Sequence, residues 1–335
     1  MAIRVAVFIL LSQLAASSAF AQQQSCRVDL PVGMIGTDGS LLNGLTAKDV
    51  TVRLRKQTLR IETIGYDTGP RRVLFILDTS RRLPPEVRKA ETMLVNFVFT
   101  HARPGDSFAL QTARGALRQV RFGESHDALT KAIDELAADP KETGRAQNVL
   151  DAMVEGISWF GEPRTGDAIL MMGDHLEESH STTEFRRGYA VDVAPNFEAS
   201  HVGFKTVAES LNAHRIRVFG LQFGGLMVNP STYEPNDENL LGITIGSGGY
   251  LLLDTIDPHG SYVLTDVRER SLQHKVFQLY GAICQFYTLS VTAPASLQHE
   301  SWKLDLAKDL QGNTVALYSR RFDPCQLEKP DATVK

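Results

Sequence analysis

The pattern of apolar and polar residues divides the chain into three stretches. Between residues 27 and 64 the two kinds alternate, as in Asp49-Val50-Thr51-Val52-Arg53-Leu54, and a period of two predicts short, half-buried strands. From residue 72, short apolar runs are separated by segments whose apolar residues have helical spacing. From residue 285 the alternation returns. The pattern therefore predicts β segments on both sides of a unit in which strands and helices alternate.

Alternating strands and helices are typical of α/β folds, in which helices cover both faces of a mostly parallel sheet. The helical spacing predicts helices over residues 84–100, 126–138, 146–160, 204–214 and 263–283. We expect a doubly wound, mostly parallel sheet over residues 71–284. The segments 22–70 and 285–335 are expected to form a small β element beside it.

Residues 1–21 have the features of a secretory signal peptide. Arg4 gives a positive start, residues 5–11 are apolar, and Ala19-Phe20-Ala21 is a small-x-small cleavage site. Cleavage after Ala21 predicts a secreted or periplasmic protein that begins at Gln22; an uncleaved membrane anchor is the alternative. No other stretch is long enough to cross a bilayer, so we expect no membrane span after processing.

The charge balance favours no polyanionic partner. The chain has 35 basic and 39 acidic residues, a net charge of −4, and loss of Arg4 with the leader makes this −5. No long basic run is present, and the hydrophobic content of 43% is ordinary for a globular protein. We therefore expect no nucleic-acid binding.

Three cysteines are present, at positions 26, 284 and 325. Disulfides are favoured in exported proteins, and the ends of a domain often lie close together, so Cys26 and Cys325 are a candidate pair. Cys284 has apolar and aromatic neighbours and is expected to be a buried thiol. Three free thiols are the alternative.

The most informative run is Val73-Leu74-Phe75-Ile76-Leu77-Asp78-Thr79-Ser80-Arg81-Arg82. Five apolar residues predict a buried parallel strand, with Asp78 and Ser80 at its carboxyl end, where open α/β sheets bind ligands. The run resembles the first strand of a von Willebrand factor A domain. That family has a Rossmann-like fold, and its motif Asp-x-Ser-x-Ser opens a divalent-metal site, the metal-ion-dependent adhesion site. The flanking β segments resemble those of secreted bacterial members of the family.

The resemblance implies a five-residue ligand set, of which this chain keeps three. Asp78 and Ser80 match the first two ligands, and Asp174 in Met172-Gly173-Asp174-His175 matches the third-loop aspartate. Arg82 stands at the second serine. Alignment of Asp151-Ala152 with the second-loop motif places Gln147 at the threonine. The metal site is therefore expected to be degenerate, with no cofactor or only weakly bound Mg²⁺.

Arg82 changes the chemistry expected at the site. A guanidinium carries a fixed positive charge and offers no acceptor, so it would repel Mg²⁺, but it can donate paired hydrogen bonds to Asp78 or Asp174. We interpret Arg82 as a replacement for the metal charge. The alternative is that Arg82 points into solvent and weak metal binding survives. A third possibility, compatible with the first interpretation, is that Asp78 and Ser80 simply cap the next helix and turn.

No sequence motif indicates catalysis. His175 and His180, near Glu177 and Glu178, lack the spacing of a zinc-protease helix and are typical of a polar loop. We expect a non-enzymatic protein that binds another protein or envelope macromolecule. Long segments at 175–200 and 224–247 are candidate binding loops, and variable insertions are the alternative. A Mg²⁺-dependent adhesion domain and, less favoured, a hydrolase using nearby carboxylates and histidines are the other functions considered.

Overall fold

The computed structural model describes residues 25–79, 85–113, 117–137, 148–174, 183–186, 189–192, 202–223, 240–254, 264–294 and 301–319. The strands are β1 Ser25–Gly36, β2 Val50–Leu54, β3 Gln57–Asp67, β4 Arg72–Asp78, β5 Ser107–Ala113, β6 Gln119–Val120, β7 Ala168–Asp174, β8 Thr183–Arg186, β9 Tyr189–Asp192, β10 Arg217–Phe223, β11 Leu251–Asp254, β12 Phe286–Pro294, β13 Trp302–Leu306 and β14 Thr314–Tyr318. The helices are α1 Pro85–Thr100, α2 His126–Ala137, α3 Val149–Ser158, α4 Phe204–His214, α5 Leu240–Gly246 and α6 Asp266–Cys284.

One sheet has the order β11-β10-β7-β4-β5-β6. Five of its strands are parallel, and the short edge strand β6 is antiparallel to β5. Residues 73–77 of the central strand β4 are at most 1% exposed, because helices cover both faces of the sheet. Since β4 is the first strand of this sheet in the chain, the order reverses between β4 and β7.

Two hydrophobic cores lie on opposite faces of this sheet. Alternate strand residues pack with α1, α2 and α6 on one face, and the remaining ones pack with α3, α4 and α5 on the other. In β4, Phe75 belongs to the first core, and Leu74 and Ile76 belong to the second. The sequence correctly predicted the α/β class.

The second sheet is antiparallel and has the order β13-β2-β3-β12-β1-β14. It joins the N-terminal and C-terminal segments as expected, but with six strands it is not the small element that the sequence suggested. The edge strands β13 and β14 approach each other: the rings of Trp302 and Tyr318 are 4.7 Å apart, and the Tyr318 hydroxyl accepts a hydrogen bond from the Leu304 amide. The sheet therefore curls around a core of its own.

The C-terminal end of α6 lies between the two sheets. Arg71 and Arg103 donate to the Cys284 carbonyl at 3.2 and 3.1 Å. Arg217 donates to the two preceding carbonyls at 3.3 and 2.9 Å, and its guanidinium lies 4.4 Å from the ring centre of Phe286. Burial lowers the pKa of Arg217 to about 9. Three guanidinium groups thus satisfy carbonyls that the helix leaves without partners and oppose its negative end.

The predicted helix boundaries are within three residues of the observed ones, whereas two predicted loops contain structure. The segment 175–200 includes the hairpin β8–β9, and the segment 224–247 includes α5. The last parallel strand was predicted from residue 248 but begins at Leu251. Gly248 has a φ of 86°, and a Cβ atom on Gly249 would lie 1.6 Å from the Val218 carbonyl oxygen. The backbone at these two glycines therefore passes too close to β10 for a side chain at Gly249.

Candidate functional site

The carboxyl ends of the parallel strands form one edge of the α/β sheet, called the rim here. Asp78, Asp174 and Asp254 are the last residues of β4, β7 and β11. The register pairs Leu77 with Met172, so Asp174 lies one residue beyond the position level with Asp78 on the neighbouring strand. The two predicted ligand positions are therefore adjacent in the backbone, at the place where the strand order reverses.

Asp78 is almost completely buried, at 1% exposure. Thr79, which follows it, donates its amide to the Ala113 carbonyl at 2.8 Å and its hydroxyl to the same oxygen at 3.2 Å. These bonds hold the chain against the end of β5 after the strand has ended. The position of Asp78 is thus set by backbone pairing on both sides of β4.

Helix α3 begins near the rim. A Cβ atom on Gly156 would lie 2.3 Å from Leu74, so this part of the helix packs against the lower half of β4. Arg72, the first residue of β4, donates to the carbonyl of Phe160 just after α3, so the helix ends at the opposite edge of the sheet. Val149 lies seven residues before Gly156, or about 10 Å along the helix, and is therefore nearer the rim. Asn148 caps the helix by accepting a hydrogen bond from the Leu150 amide at 3.0 Å.

Three predicted site residues lie outside the described part of the chain: Ser80, Arg82 and Gln147. Asp174 is described in its backbone only. The structure therefore places Asp78 and the strand end at Asp174 side by side. Within the described residues, no group of three or more His, Cys, Asp or Glu side chains is arranged to hold a metal ion.

Asp254 is a rim carboxylate that was not among the site residues predicted from the sequence. It is 6% exposed and contacts two cations of α6, Arg268 at 2.9 Å and Lys275 at 2.7 Å. The sequence did contain an indication of this residue, because Asp254 ends an apolar run just as Asp78 and Asp174 do. Its negative charge is balanced by side chains of the protein itself.

Gln222 is a second missed residue. It is one of seven consecutive buried residues in β10, and only 8% of it is exposed. The register pairs Gln222 with Gly173, which lies level with Asp78 on β7. Within the described part of the chain its buried amide oxygen has no hydrogen-bond partner. A lone glutamine inside an apolar run was the available signal.

Of the cysteines, only Cys284 has a described side chain. It is free and buried as predicted, and burial raises the pKa of its thiol to about 11, so it is a poor nucleophile. Cys26 belongs to β1 by its backbone, and Cys325 lies outside the described residues. The predicted pairing of Cys26 with Cys325 stays a prediction.

The described helices include none that is long and apolar enough to span a membrane.

Comparison with known proteins gives distant structural likenesses. No protein-family model matches the chain, and no curated protein matches it. Proximal thread matrix protein 1 from the mussel byssus is 12% identical with a TM-score of 0.42, covering 69% of this chain and 50% of its own. A von Willebrand factor type A protein from Catenulispora acidiphila is 12% identical with a TM-score of 0.38, covering 76% and 50%. The SpRpn10 VWA domain is 10% identical with a TM-score of 0.37, covering 57% and 90%. The chain spans about half the length of the first two proteins.

Proposed function

We propose that this chain is an exported protein of the von Willebrand factor A type. In this proposal the rim binds another protein or an envelope macromolecule, without a metal ion and without catalysis.

The observation that carries the proposal is the position of Asp78. It is buried at the end of the central strand, beside the strand that ends at Asp174. The strand order of the α/β sheet reverses between β4 and β7, and open α/β sheets bind ligands outside the strand ends where the order reverses. The sequence Asp78-Thr79-Ser80, which matches the start of the metal motif, begins at this strand end.

Asp254 supports independence from metal ions. Its carboxylate contacts Arg268 and Lys275 on α6, so charge at this rim is balanced by side chains of the chain. We propose that Arg82 has the same role toward Asp78 or Asp174. A guanidinium between two carboxylates removes the repulsion that would otherwise raise the pKa of one of them.

Binding through the rim is tested with Asp78→Asn, which removes the charge and changes the size little. Tagged wild-type and variant protein are incubated with envelope extract, cross-linked and analysed by mass spectrometry. We expect a partner captured by the wild type to be lost with Asp78→Asn and kept with Asp309→Asn, whose aspartate is exposed in the antiparallel-sheet unit. Equal capture by both variants would place the binding surface elsewhere.

Metal independence and the absence of catalysis are tested separately. Calorimetric titration with Mg²⁺ is expected to give no binding heat, and a saturable heat that Asp78→Asn abolishes would indicate a metal-dependent adhesion site. No turnover is expected on a panel of esters, peptides and phosphoesters.

Export is tested by N-terminal sequencing of protein recovered outside the cytoplasm, which is expected to begin at Gln22. Recovery in the membrane fraction with residues 1–21 still attached would contradict it.

A further inference from the structure

A cavity lies between the α/β unit and the antiparallel sheet, at the edge of the α/β sheet opposite the rim. Its volume is about 60 Å³, and it is partly open to solvent. It is lined by Ile216 of one α/β core and by Leu30 and Trp302 of the antiparallel-sheet core. Arg217, the first residue of β10, also lines it. Junctions between packed units are common places for small-molecule sites.

Arg217 brings a buried positive charge to this cavity without a carboxylate of its own. Of the other two guanidinium groups at the end of α6, Arg71 pairs with Asp67 at 2.6 Å. Arg103 pairs with Asp106 at 3.3 Å. Within the described residues, Arg217 donates to two helix carbonyls but forms no ion pair, and its Nε–H has no acceptor. A buried cation is costly unless an anion accompanies it.

Trp302 supplies a second donor to the same cavity. The residue is 4% exposed, and its ring packs 4.7 Å from the ring of Tyr318. Its indole N–H has no hydrogen-bond acceptor in the part of the chain that the structure describes. A buried donor without an acceptor costs free energy, and here two such donors belong to side chains that line one cavity. The cavity is therefore suited to a negatively charged acceptor.

The cavity reaches the surface at two charged residues. Arg215, which follows α4, and Asp29 of β1 both line the cavity and are exposed. The Asp29 carboxylate accepts a hydrogen bond from the Ser290 hydroxyl at 2.5 Å and lies 3.9 Å from the Arg27 guanidinium, which partly balances it. The charges at the opening therefore do not exclude an anion.

We propose that this cavity binds a short-chain monocarboxylate, whose oxygens accept from the N–H groups of Arg217 and Trp302 while its alkyl end contacts the apolar lining. A cavity of about 150 Å³ holds benzene, so one of about 60 Å³ takes a smaller body such as acetate or propionate. Phosphate suits it less, because a group with more charge loses more hydration in a mostly apolar cavity. The site does not depend on the partner binding proposed for the rim.

The chain has two tryptophans, which provide a matched test. Trp159 does not line the cavity; it packs against Arg121, and its indole N–H also has no acceptor among the described residues. Trp159→Phe leaves Trp302 as the single tryptophan, so the fluorescence of this variant reports on the cavity. Titration of its full mature chain with propionate should give a saturable change. Propionamide, which has the same shape without the charge, should give none.

NMR titration compares the affinities of wild type and both variants for propionate. Trp302→Phe keeps an aromatic ring but removes the N–H, and should weaken binding by about tenfold. Trp159→Phe should bind as wild type does. Propionate should also raise the melting temperature of wild type, because it binds the folded state alone. If Trp302→Phe fails to fold, the comparison of propionate with propionamide on wild type still decides the matter.

Four results would overturn the inference. The first is the lack of saturable propionate binding, as expected if the cavity holds only water. The second is equal binding of propionate and propionamide, and the third is an unchanged propionate affinity in folded Trp302→Phe. The fourth is tighter binding of phosphate or of N-acetylglycine, which carries the carboxylate on a peptide group and would assign the site to the end of a peptide chain.

Discussion

Replacement of Asp106 by asparagine is expected to be among the most destabilising single changes outside the apolar cores. The Asp106 side chain is completely buried and ties three elements together. It accepts the Arg71 amide at 2.7 Å before β4, the Arg103 guanidinium at 3.3 Å before β5, and the Tyr280 hydroxyl of α6. Asparagine keeps the shape but loses the charge that faces Arg103 and the strong acceptor for Tyr280.

The expected loss follows from the burial of the pair. Removal of one partner of a buried ion pair costs about 3–5 kcal/mol, and the Arg103 side chain is 26% exposed, so we expect about 3 kcal/mol. Tyr280→Phe alone should cost about 1.5–3 kcal/mol, because its hydroxyl bonds a charged acceptor. The two changes share one interaction, so their combination should cost less than the sum.

The measurement is urea unfolding followed by circular dichroism, with Asp309→Asn as the exposed control. Burial by itself would raise the pKa of Asp106, but hydrogen bonds from Tyr280 and Arg71 and the charge of Arg103 lower it overall. A carboxyl group with a lowered pKa stabilises the fold above its ordinary pKa of 3.8, and this contribution is lost as the pH falls through the folded-state value. The difference between wild type and Asp106→Asn should therefore shrink below about pH 4. A loss under about 1 kcal/mol at pH 7, or no pH dependence of the difference, would refute the reasoning.

Three further predictions concern Arg82, the cysteines and Gly249. Arg82→Ala should lower the melting temperature. The double variant Arg82→Ser with Gln147→Thr should regain the wild-type melting temperature only when Mg²⁺ is added, because a ligand bound by the folded state alone stabilises that state. A wild-type melting temperature that rises with Mg²⁺ and falls with EDTA would contradict this. Non-reducing peptide mapping should find Cys26 joined to Cys325, and two free thiols in exported protein would contradict that prediction. The pairing is within reach: six residues separate the Ser247–Ser319 bridge from position 325, and an extended chain of that length spans up to about 20 Å, enough to run beside β1 toward its first residues. Gly249→Ala should destabilise the fold by about 3 kcal/mol or more, because the new Cβ atom would collide with the Val218 carbonyl oxygen of β10. A free energy of urea unfolding equal to that of wild type would show that the segment before β11 moves away from β10 at little cost.

The sequence predicts most of the α/β unit because its signals are local. The apolar run of β4 and the helical spacing of α4 and α6 each specify an element without reference to distant residues. The short helix α5 was missed, since seven residues with glycines at positions 242 and 246 resemble a loop. Composition gives little information about a helix this short, whose formation depends on packing against β10.

The site was only partly predictable for a related reason. Asp78 and Asp174 follow apolar runs, so their common edge follows from the rule for parallel strands. The partners of Asp254, in contrast, lie 14 and 21 residues further along the chain on a helix that must first pack against the sheet. The row formed by Asp78, Gly173 and Gln222 depends on the register of three strands, which no local pattern specifies.

The pairing of β1 with β12 has a consequence for the order in which the chain can fold. Arg27 of β1 bonds Ser290 of β12, 263 residues away, and β1 pairs also with β14 near the C-terminus. Loop closure over such a separation is slow, and the first strand has no partner until almost the whole chain has emerged. The parallel strands of the α/β unit, which lie between β3 and β12 in the chain, can pair earlier. Their pairing brings together the two ends of that unit, where Asp67 of β3 and Phe286 of β12 are neighbours. Assembly of the α/β unit should therefore precede closure of the antiparallel sheet and set its pace, while β1 remains an exposed edge that must avoid aggregation.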